Sequence, residues 1–167
     1  MRLLLAEDER YLSSALCEIL SKQKYDVDSV YDGDSALEYI RSGVYDLVIL
    51  DIMMPNMDGL EVCKYVHDHC PESQVIILSA YSDFTYARTA LRYGACEYVL
   101  KIEMIDELPK AIEKAVKELD KQSKEVLEEN EKKIPSIIET AKKEVLKCGL
   151  DMKITGAEFP FDNSKII

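Results

Sequence analysis

Short apolar runs alternate with stretches of helical periodicity over the first 119 residues of the chain. The runs read RLLLA (2–6), DVDSVY (26–31), DLVIL (46–50), QVIILS (74–79) and EYVLK (97–101). Runs of this length fit strands, and parallel strands joined by helices are buried on both faces. The pattern therefore predicts an α/β fold with a five-stranded, doubly wound parallel sheet.

Five helices are predicted between and after these strands, because apolar residues recur there at helical spacing. We place Asp34 as the cap of the second helix and Gly94 at the end of the fourth. The apolar residues of the five helices are, in chain order, Leu12, Leu16, Ile19 and Leu20; Ala36, Leu37 and Ile40; Leu60, Val62, Tyr65 and Val66; Ala87, Ala90 and Leu91; and Leu108, Ala111, Ile112, Ala115, Val116 and Leu119.

The fifth helix is predicted to continue beyond residue 119 as a helical linker. Residues 113–133 contain no Pro or Gly, and apolar residues recur at close to a 3.5-residue period. This stripe consists of Leu108, Ile112, Ala115, Leu119 and Val126. A coiled coil and a solvated single helix both fit the pattern.

The last part of the chain is predicted to form one more helix, separate from the linker, followed by a short β-hairpin. Pro135 is expected to start the new helix, which ends near Gly149. The stretch GLDMKITGAEFPFDNSKII (149–167) predicts two short strands around a turn that contains Asp162 and Asn163. It ends on KII, as an unfinished apolar strand would, so we expect the chain to be a fragment of a longer protein.

The expected organisation is a main domain over 1–119, the linker over 120–134 and a partial C-terminal segment over 135–167. A chain of 167 residues, 47% of them hydrophobic, is long enough for one such core and an appendage. Residues 1–119 carry 12 Lys/Arg against 22 Asp/Glu, whereas residues 120–167 carry 9 against 10. This acidic balance argues against direct nucleic-acid binding by residues 1–119.

The cysteines indicate a reducing compartment. The five of them show no CxxC spacing and fall within apolar or helical patterns, which is typical of free structural thiols. The opening MRLLLAEDER is too short in its apolar part for a signal peptide, and nowhere do 18 apolar residues run together. We therefore expect a cytoplasmic protein without a membrane span.

Polar side chains follow the predicted strands at one edge of the sheet. Glu7 and Asp8 follow the first strand, Asp51 the third, Ser79 ends the fourth and Lys101 the fifth. The carboxyl ends of parallel strands meet at one edge, so these groups should lie together. Three adjacent carboxylates repel one another unless a cation joins them, and oxygen ligands suit Mg²⁺. Lys101 would add a positive charge suited to a phosphoryl oxygen.

Four motifs in this order resemble the receiver domains of two-component response regulators, a chemotaxis-protein-like family. They are AEDE (6–9), LDIMMPNMDG (50–59), LSAYSD (78–83) and GACEYVLK (94–101), and the likeness covers roughly residues 1–119. The resemblance implies a flavodoxin-like receiver fold. It also implies that Asp51 accepts a phosphoryl group as an aspartyl phosphate.

The resemblance assigns further roles to residues around Asp51. Asp8 and Asp51 would bind Mg²⁺ directly, together with the backbone carbonyl of Met53, and Glu7 would assist through water. Lys101 stands where the family has its lysine. Ser79 occupies the place of the family's switch hydroxyl, and Tyr98 that of its switch aromatic residue.

The function that the resemblance implies is a phosphorylation switch in a two-component phosphorelay. A sensor histidine kinase would supply the phosphoryl group, and the surface of the fourth helix, fifth strand and fifth helix would change in response. Catalysis would be limited to self-phosphorylation and hydrolysis of the protein's own acyl phosphate. We also expect a homodimer through that surface and the helical linker. The alternative is a receiver-like interaction module that never takes phosphate.

Simpler interpretations compete with these roles. Asp51 could cap a turn, Ser79 could be a satisfied strand-end hydroxyl, and Tyr98 could be a packing residue. His67 and His69 suggest a metal pair, but residues two apart on a helix lie on different faces, so we expect solvated surface. A flavin-binding domain would need a phosphate-cradling loop where this chain has AEDER.

Two further points concern the family pattern. Receivers usually have Pro after the lysine, joined by a cis bond, whereas Ile102 follows Lys101 here. Because a cis bond before a residue other than proline costs about 2.5–4 kcal/mol, the geometry of this joint is left open. The phrases GLDMK and FDNSK near the C-terminus resemble the stage-zero sporulation, polymerase-suppressor family.

Overall fold

The computed structural model describes residues 1–147, in which five strands and five helices alternate. The strands are β1 (Arg2–Ala6), β2 (Asp26–Val30), β3 (Leu47–Asp51), β4 (Gln74–Ser79) and β5 (Glu97–Leu100). The helices are α1 (Arg10–Lys22), α2 (Gly33–Ser42), α3 (Gly59–His69), α4 (Phe84–Arg92) and α5 (Met104–Lys147). The predicted hairpin and the resemblance to the sporulation family lie outside the described residues.

The five strands form one parallel sheet in the order β2-β1-β3-β4-β5. This confirms the predicted five-stranded, doubly wound sheet. The central strands are buried on both faces because successive side chains point to opposite sides. In β1, Leu3 and Leu5 face one core, whereas Leu4 and Ala6 face the other. Each leucine buried in this way stabilises the fold by about 1.5–3 kcal/mol relative to an exposed one.

The two cores lie between the sheet and its helices. Buried residues of α1 and α5 pack on one face, and buried residues of α2, α3 and α4 pack on the other. One residue of the predicted apolar stripe of α1 and one of α4 are instead exposed: Ile19 is 48% and Leu91 is 59% accessible. Each lies at the side of a stripe whose neighbouring residue, Leu20 or Ala90, takes the buried position.

The cap of α2 is Asp32 and not Asp34. The Asp32 carboxylate accepts hydrogen bonds from the backbone N–H and the hydroxyl of Ser35, each at 2.8 Å. Its extended backbone, with φ −156° and ψ 164°, is typical of a cap residue. Asp34 lies in the first helical turn, where the helix dipole stabilises a negative charge.

Two loop geometries bear on the prediction of the helix ends and joints. Gly94 follows α4 with φ +80°, in the left-handed region that favours glycine after a helix. This confirms Gly94 at the end of the fourth helix. No cis peptide bond occurs among the described residues, so the Lys101–Ile102 bond is trans.

Helix α5 differs from the prediction at Pro135. The helix runs unbroken from Met104 to Lys147, so Pro135 starts no new helix. A proline inside a helix lacks the N–H that would bond to the preceding turn. The residues around Pro135 include Glu131, Lys132, Lys133 and Glu139, and the favourable helix propensity of Glu and Lys supports continuation. None of the helices within residues 1–147 has the apolar length that crossing a bilayer requires.

The chain divides into two compact units, Met1–Lys124 and Glu125–Ile167. Within the first unit, Leu108, Ile112 and Ala115 are buried against the sheet with at most 5% exposure. These three residues of the predicted linker stripe therefore belong to the core. They are unavailable to a second chain, which corrects the stripe proposed from periodicity.

Candidate phosphoacceptor site

The register of the sheet places the predicted polar groups at one edge. Asp51 ends β3 and lies opposite Leu78, and Ala6 lies opposite Leu50, so Glu7 follows β1 beside Asp51. The backbone N–H of Lys101 donates to the carbonyl of Ser79 at 2.7 Å, which fixes the start of the loop after β5. The hydrogen bonding of the sheet therefore fixes the backbone positions from which these side chains extend.

Glu7, Asp8 and Asp51 form an acidic cluster. One carboxylate oxygen from each residue lies within 4.8 Å of the others. Glu7 is 0% and Asp51 is 3% exposed, whereas Asp8 is open to solvent. Ionised carboxylates at such burial need compensating charge, because an isolated buried charge is strongly disfavoured.

Lys101 supplies part of that compensation. Its Nζ donates to Glu7 Oε1 at 2.8 Å and to Asp51 Oδ2 at 2.9 Å. Three negative carboxylates against one positive ammonium leave two negative charges in the cluster. A divalent cation matches this remainder.

The pKa values of the cluster follow from burial and from Lys101. Burial raises the pKa of Glu7, the hydrogen bond from Lys101 opposes the rise, and repulsion from Asp51 adds to it. Burial also raises the pKa of Asp51, again against the pull of Lys101. Burial alone would lower the pKa of Lys101, but its hydrogen bonds to Glu7 and Asp51 outweigh that effect and raise it.

The donor set of the cluster fits Mg²⁺. Glu7 Oε2 is fully buried and, although 2.8 Å from Lys101 Nζ, accepts no hydrogen bond of good geometry. A buried carboxylate oxygen whose described partner is one ammonium still has lone pairs for a cation or its water. Carboxylate and carbonyl oxygens, with one side open to water, are the environment that Mg²⁺ prefers.

Met53 occupies the loop between β3 and α3. Its neighbours Ile52 and Met54 are buried in the core, whereas Met53 is 48% exposed. The Met53 N–H donates to Asp51 Oδ1 at 3.3 Å. Gly59 closes this loop, and a Cβ there would overlap the carbonyl oxygen of Asp51. A glycine is therefore required for the chain to pass so close to the acidic cluster.

Ser79 and Tyr98 meet at the backbone of Tyr81. The Ser79 hydroxyl accepts from the Tyr81 N–H at 3.0 Å and donates to the Tyr81 carbonyl at 3.2 Å. The Tyr98 hydroxyl donates to the same carbonyl at 2.7 Å. One peptide group therefore connects the end of β4 with the outer part of β5.

The structure brings four of the five predicted edge residues into direct contact or close proximity: Glu7, Asp8, Asp51 and Lys101. Ser79 lies at the same edge, buried, with its hydroxyl bonded to Tyr81. Sequence reasoning missed Tyr81, because its role rests on backbone atoms, which leave no signal in residue type.

The two histidines of α3, His67 and His69, lie on the exposed surface of the helix. The ring of His69 stacks on Tyr65 at a centroid distance of 4.2 Å. Among the described residues, the three-residue group with metal-ligating geometry is the acidic cluster. This agrees with the expectation of solvated helix surface.

Comparison with known proteins shows that the chain is similar to response regulators. A model of the response regulator receiver domain matches residues 3–113. The chain is 44% identical over 108 residues to the transcriptional regulatory protein DltR of Streptococcus agalactiae, covering 65% of this chain and 48% of DltR. It is 41% identical over 108 residues to the response regulator ArlR of Staphylococcus aureus, covering 64% and 48%. The chain thus spans about half the length of these curated relatives.

Solved structures of response regulators are also similar to this chain. The response regulator TrrA of Thermotoga maritima, determined in complex with Mg²⁺-BeF, is 37% identical with a TM-score of 0.63, covering 68% of this chain and 97% of TrrA. A CheY-like receiver domain protein of Methanospirillum hungatei is 26% identical with a TM-score of 0.67, covering 74% and 97%.

Proposed function

The chain belongs to the response regulator receiver domain family, and from that premise we propose that it is a phosphorylation switch in which Asp51 accepts the phosphoryl group. The observation that carries the proposal is the buried Asp51 carboxylate, held 2.9 Å from Lys101 inside the acidic cluster. A structural carboxylate would have no need of two further acids beside it.

Phosphoryl transfer requires little covalent chemistry from the protein. A carboxylate oxygen of Asp51 forms a bond to phosphorus while the bond from phosphorus to the donor's nitrogen or oxygen breaks, and the leaving group departs with the electron pair. Lys101 would exchange its bond to Asp51 for one to a phosphoryl oxygen. Burial limits the access of water to the new acyl phosphate, so hydrolysis of that acyl phosphate is slow.

The cation site belongs to the same proposal. Asp8, Asp51 and the Met53 carbonyl would hold Mg²⁺ directly, and Glu7 would do so through water. When bound, the ion neutralises charge on the phosphoryl oxygens. Without it, the two negative charges left by Lys101 would repel an incoming phosphoryl group.

The output begins at the Tyr81 peptide. A phosphoryl group on Asp51 adds about −1.5 to −2 charge and three acceptor oxygens near the end of β4. The Ser79 hydroxyl would leave the Tyr81 carbonyl and donate to one of them. Tyr98 shares that carbonyl, so the change reaches β5 and the surface formed by α4, β5 and α5.

The partner that fits this reaction is a sensor histidine kinase in the cytoplasm. Four of the cysteines, Cys17, Cys63, Cys70 and Cys96, are free thiols in the structure, which supports a reducing compartment. The catalysis that we propose is limited to taking up and slowly losing the protein's own phosphoryl group.

Intact-mass measurement of the full chain tests the function. With acetyl phosphate and Mg²⁺, we expect a gain of one phosphoryl group, and with the metal chelated we expect little or none, because the cluster then keeps its negative charge. Absence of any gain in Mg²⁺ would overturn the switch and favour a receiver-like interaction module that takes no phosphate.

We further propose that the second unit pairs with its copy in a homodimer. Leu127, Ile134, Ile137 and Ile138 are each 49–63% exposed on α5. Leu127 and Ile134 are seven residues apart, and Ile137 follows three later, which is a heptad spacing. A second helix that covers such a stripe stabilises the pair by about 1.5–3 kcal/mol for each fully buried isoleucine.

Ile137→Glu should therefore convert a self-associating chain to a monomer, as measured by sedimentation. Lys132→Glu is the control, since Lys132 lies on the other side of the helix and should leave association unchanged. Phosphorylation should survive in both variants, because the acidic cluster and Lys101 lie within residues 1–101. A wild-type monomer at high concentration would refute the dimer.

A further inference from the structure

The loop between β3 and α3, residues 52–58, must hold the Met53 carbonyl in place if that carbonyl is to bind a cation. On its inner side, the loop is anchored by Ile52, whose carbonyl accepts from the N–H of Met54 at 3.2 Å and of Gly59 at 3.0 Å. On its outer side, Asn56 adopts φ +69°, in the left-handed region that asparagine tolerates better than most other non-glycine residues. A neighbouring element supports this turn from outside the loop.

The N-terminus of α2 provides that support. The Gly33 N–H donates to the Pro55 carbonyl at 3.3 Å. Hydrogen bonds from Ser35 chiefly lower the pKa of the Asp32 carboxyl, and the nearby Asn56 side chain contributes less to the same shift. A Cβ on Gly33 would overlap the carbonyl oxygen and Cβ of Met57. The helix start and the loop are thus in backbone contact at a position that admits no side chain.

We infer that Asp32 and Gly33 are positioning residues for the cation site, acting through Asn56 and Met57 on the carbonyl of Met53. Neither residue touches the acidic cluster. The inference rests on the proposed function, because it assumes that the Met53 carbonyl is a ligand. It adds a helix, α2, to a site otherwise built from the ends of β1, β3 and β5.

The chemistry of Mg²⁺ makes this support measurable. Mg²⁺ demands near-ideal octahedral geometry at about 2.0–2.1 Å, whereas Ca²⁺ accepts 6–8 ligands at about 2.3–2.6 Å in flexible arrangements. A small shift of one carbonyl therefore weakens Mg²⁺ binding more than Ca²⁺ binding. A loss of fold stability alone would weaken both equally, so the ratio of the two affinities separates positioning from structure.

Three variants of the full chain test the inference by calorimetric titration with Mg²⁺ and with Ca²⁺. Gly33→Ala pushes on Met57, Asn56→Gly keeps the left-handed turn but removes the side chain that reaches Asp32, and Asp32→Ser keeps a cap acceptor for Ser35 while losing that reach. We expect Mg²⁺ affinity to fall by about tenfold in Gly33→Ala, as for other groups that orient metal ligands, with a smaller fall in the other two. Ca²⁺ affinity should change by less than about twofold.

Gly43→Ala is the matched control. It places a methyl group at the other end of α2, against the ring of Tyr45, and should change neither affinity. If wild type binds Mg²⁺ and the three variants keep its ratio of Mg²⁺ to Ca²⁺ affinity, the positioning role is wrong while the phosphorylation switch stands. If wild type gains a phosphoryl group but binds no Mg²⁺, the assumed ligand and the positioning role both fall.

Discussion

Asp51→Asn should gain no phosphoryl group from acetyl phosphate and Mg²⁺, whereas wild type gains one. A carboxamide oxygen is not a nucleophile of comparable strength, and no other described carboxylate combines burial with a direct bond to Lys101 except Glu7. The expected loss is complete rather than partial, because the variant lacks the anionic carboxylate that would form the new bond.

The fold of this variant should be retained. Asparagine has nearly the same shape, and Lys101 keeps its bond to Glu7 when Asp51 is neutral. Asp58→Asn is the control, because Asp58 is an exposed carboxylate that caps α3 through the Glu61 N–H at 2.8 Å. That variant should be labelled like wild type. Equal labelling of Asp51→Asn, read by intact mass, would show that another residue is the acceptor.

Asp8→Asn should weaken Mg²⁺ binding by about tenfold or more, equivalent to at least about 1.4 kcal/mol. Asp8 is the exposed member of the cluster, and Lys101 forms its ion pairs with Glu7 and Asp51. Its charge is therefore the one most available to an entering cation. Metal-dependent stabilisation should weaken in parallel, since a ligand that binds only the folded state at 100 times its Kd stabilises by about 2.7 kcal/mol.

Glu9→Gln provides the comparison for Asp8→Asn. Glu9 is an exposed carboxylate one position further along that lies outside the cluster, and its loss changes the net charge equally. Calorimetric titration and thermal unfolding with and without Mg²⁺ measure both variants. Equal weakening in both would mean that Mg²⁺ responds to the general negative potential and that Asp8 is not a ligand.

The sheet and its acidic edge could be predicted because each rests on a strong rule. A run such as LVIL has no polar face, so it has to be a strand buried on both sides. Once the strands are parallel, their ends share an edge, and Glu7, Asp51 and Lys101 have to converge there. Composition and order alone carry that argument.

Other features depend on information that residue type does not contain. Asp32 and Asp34 are equally good cap residues, and only the extended backbone at Asp32 decides between them. The periodic stripe on α5 could not reveal that the sheet covers Leu108 and Ile112, because periodicity shows a face but not its partner. The Tyr81 carbonyl, shared by two hydroxyls, is a backbone atom that every residue possesses.

The partners of Lys101 are distant in the chain. Its ammonium bonds to Glu7 across 94 residues and to Asp51 across 50. During synthesis on the ribosome, Glu7 and Asp51 are made before Lys101, which forms ion pairs with both. Until β5 has been made and has paired with β4, the nascent chain has neither the clamp nor the finished sheet edge. A chain cut before β5 therefore carries Glu7 and Asp51 without the ammonium that bonds to both.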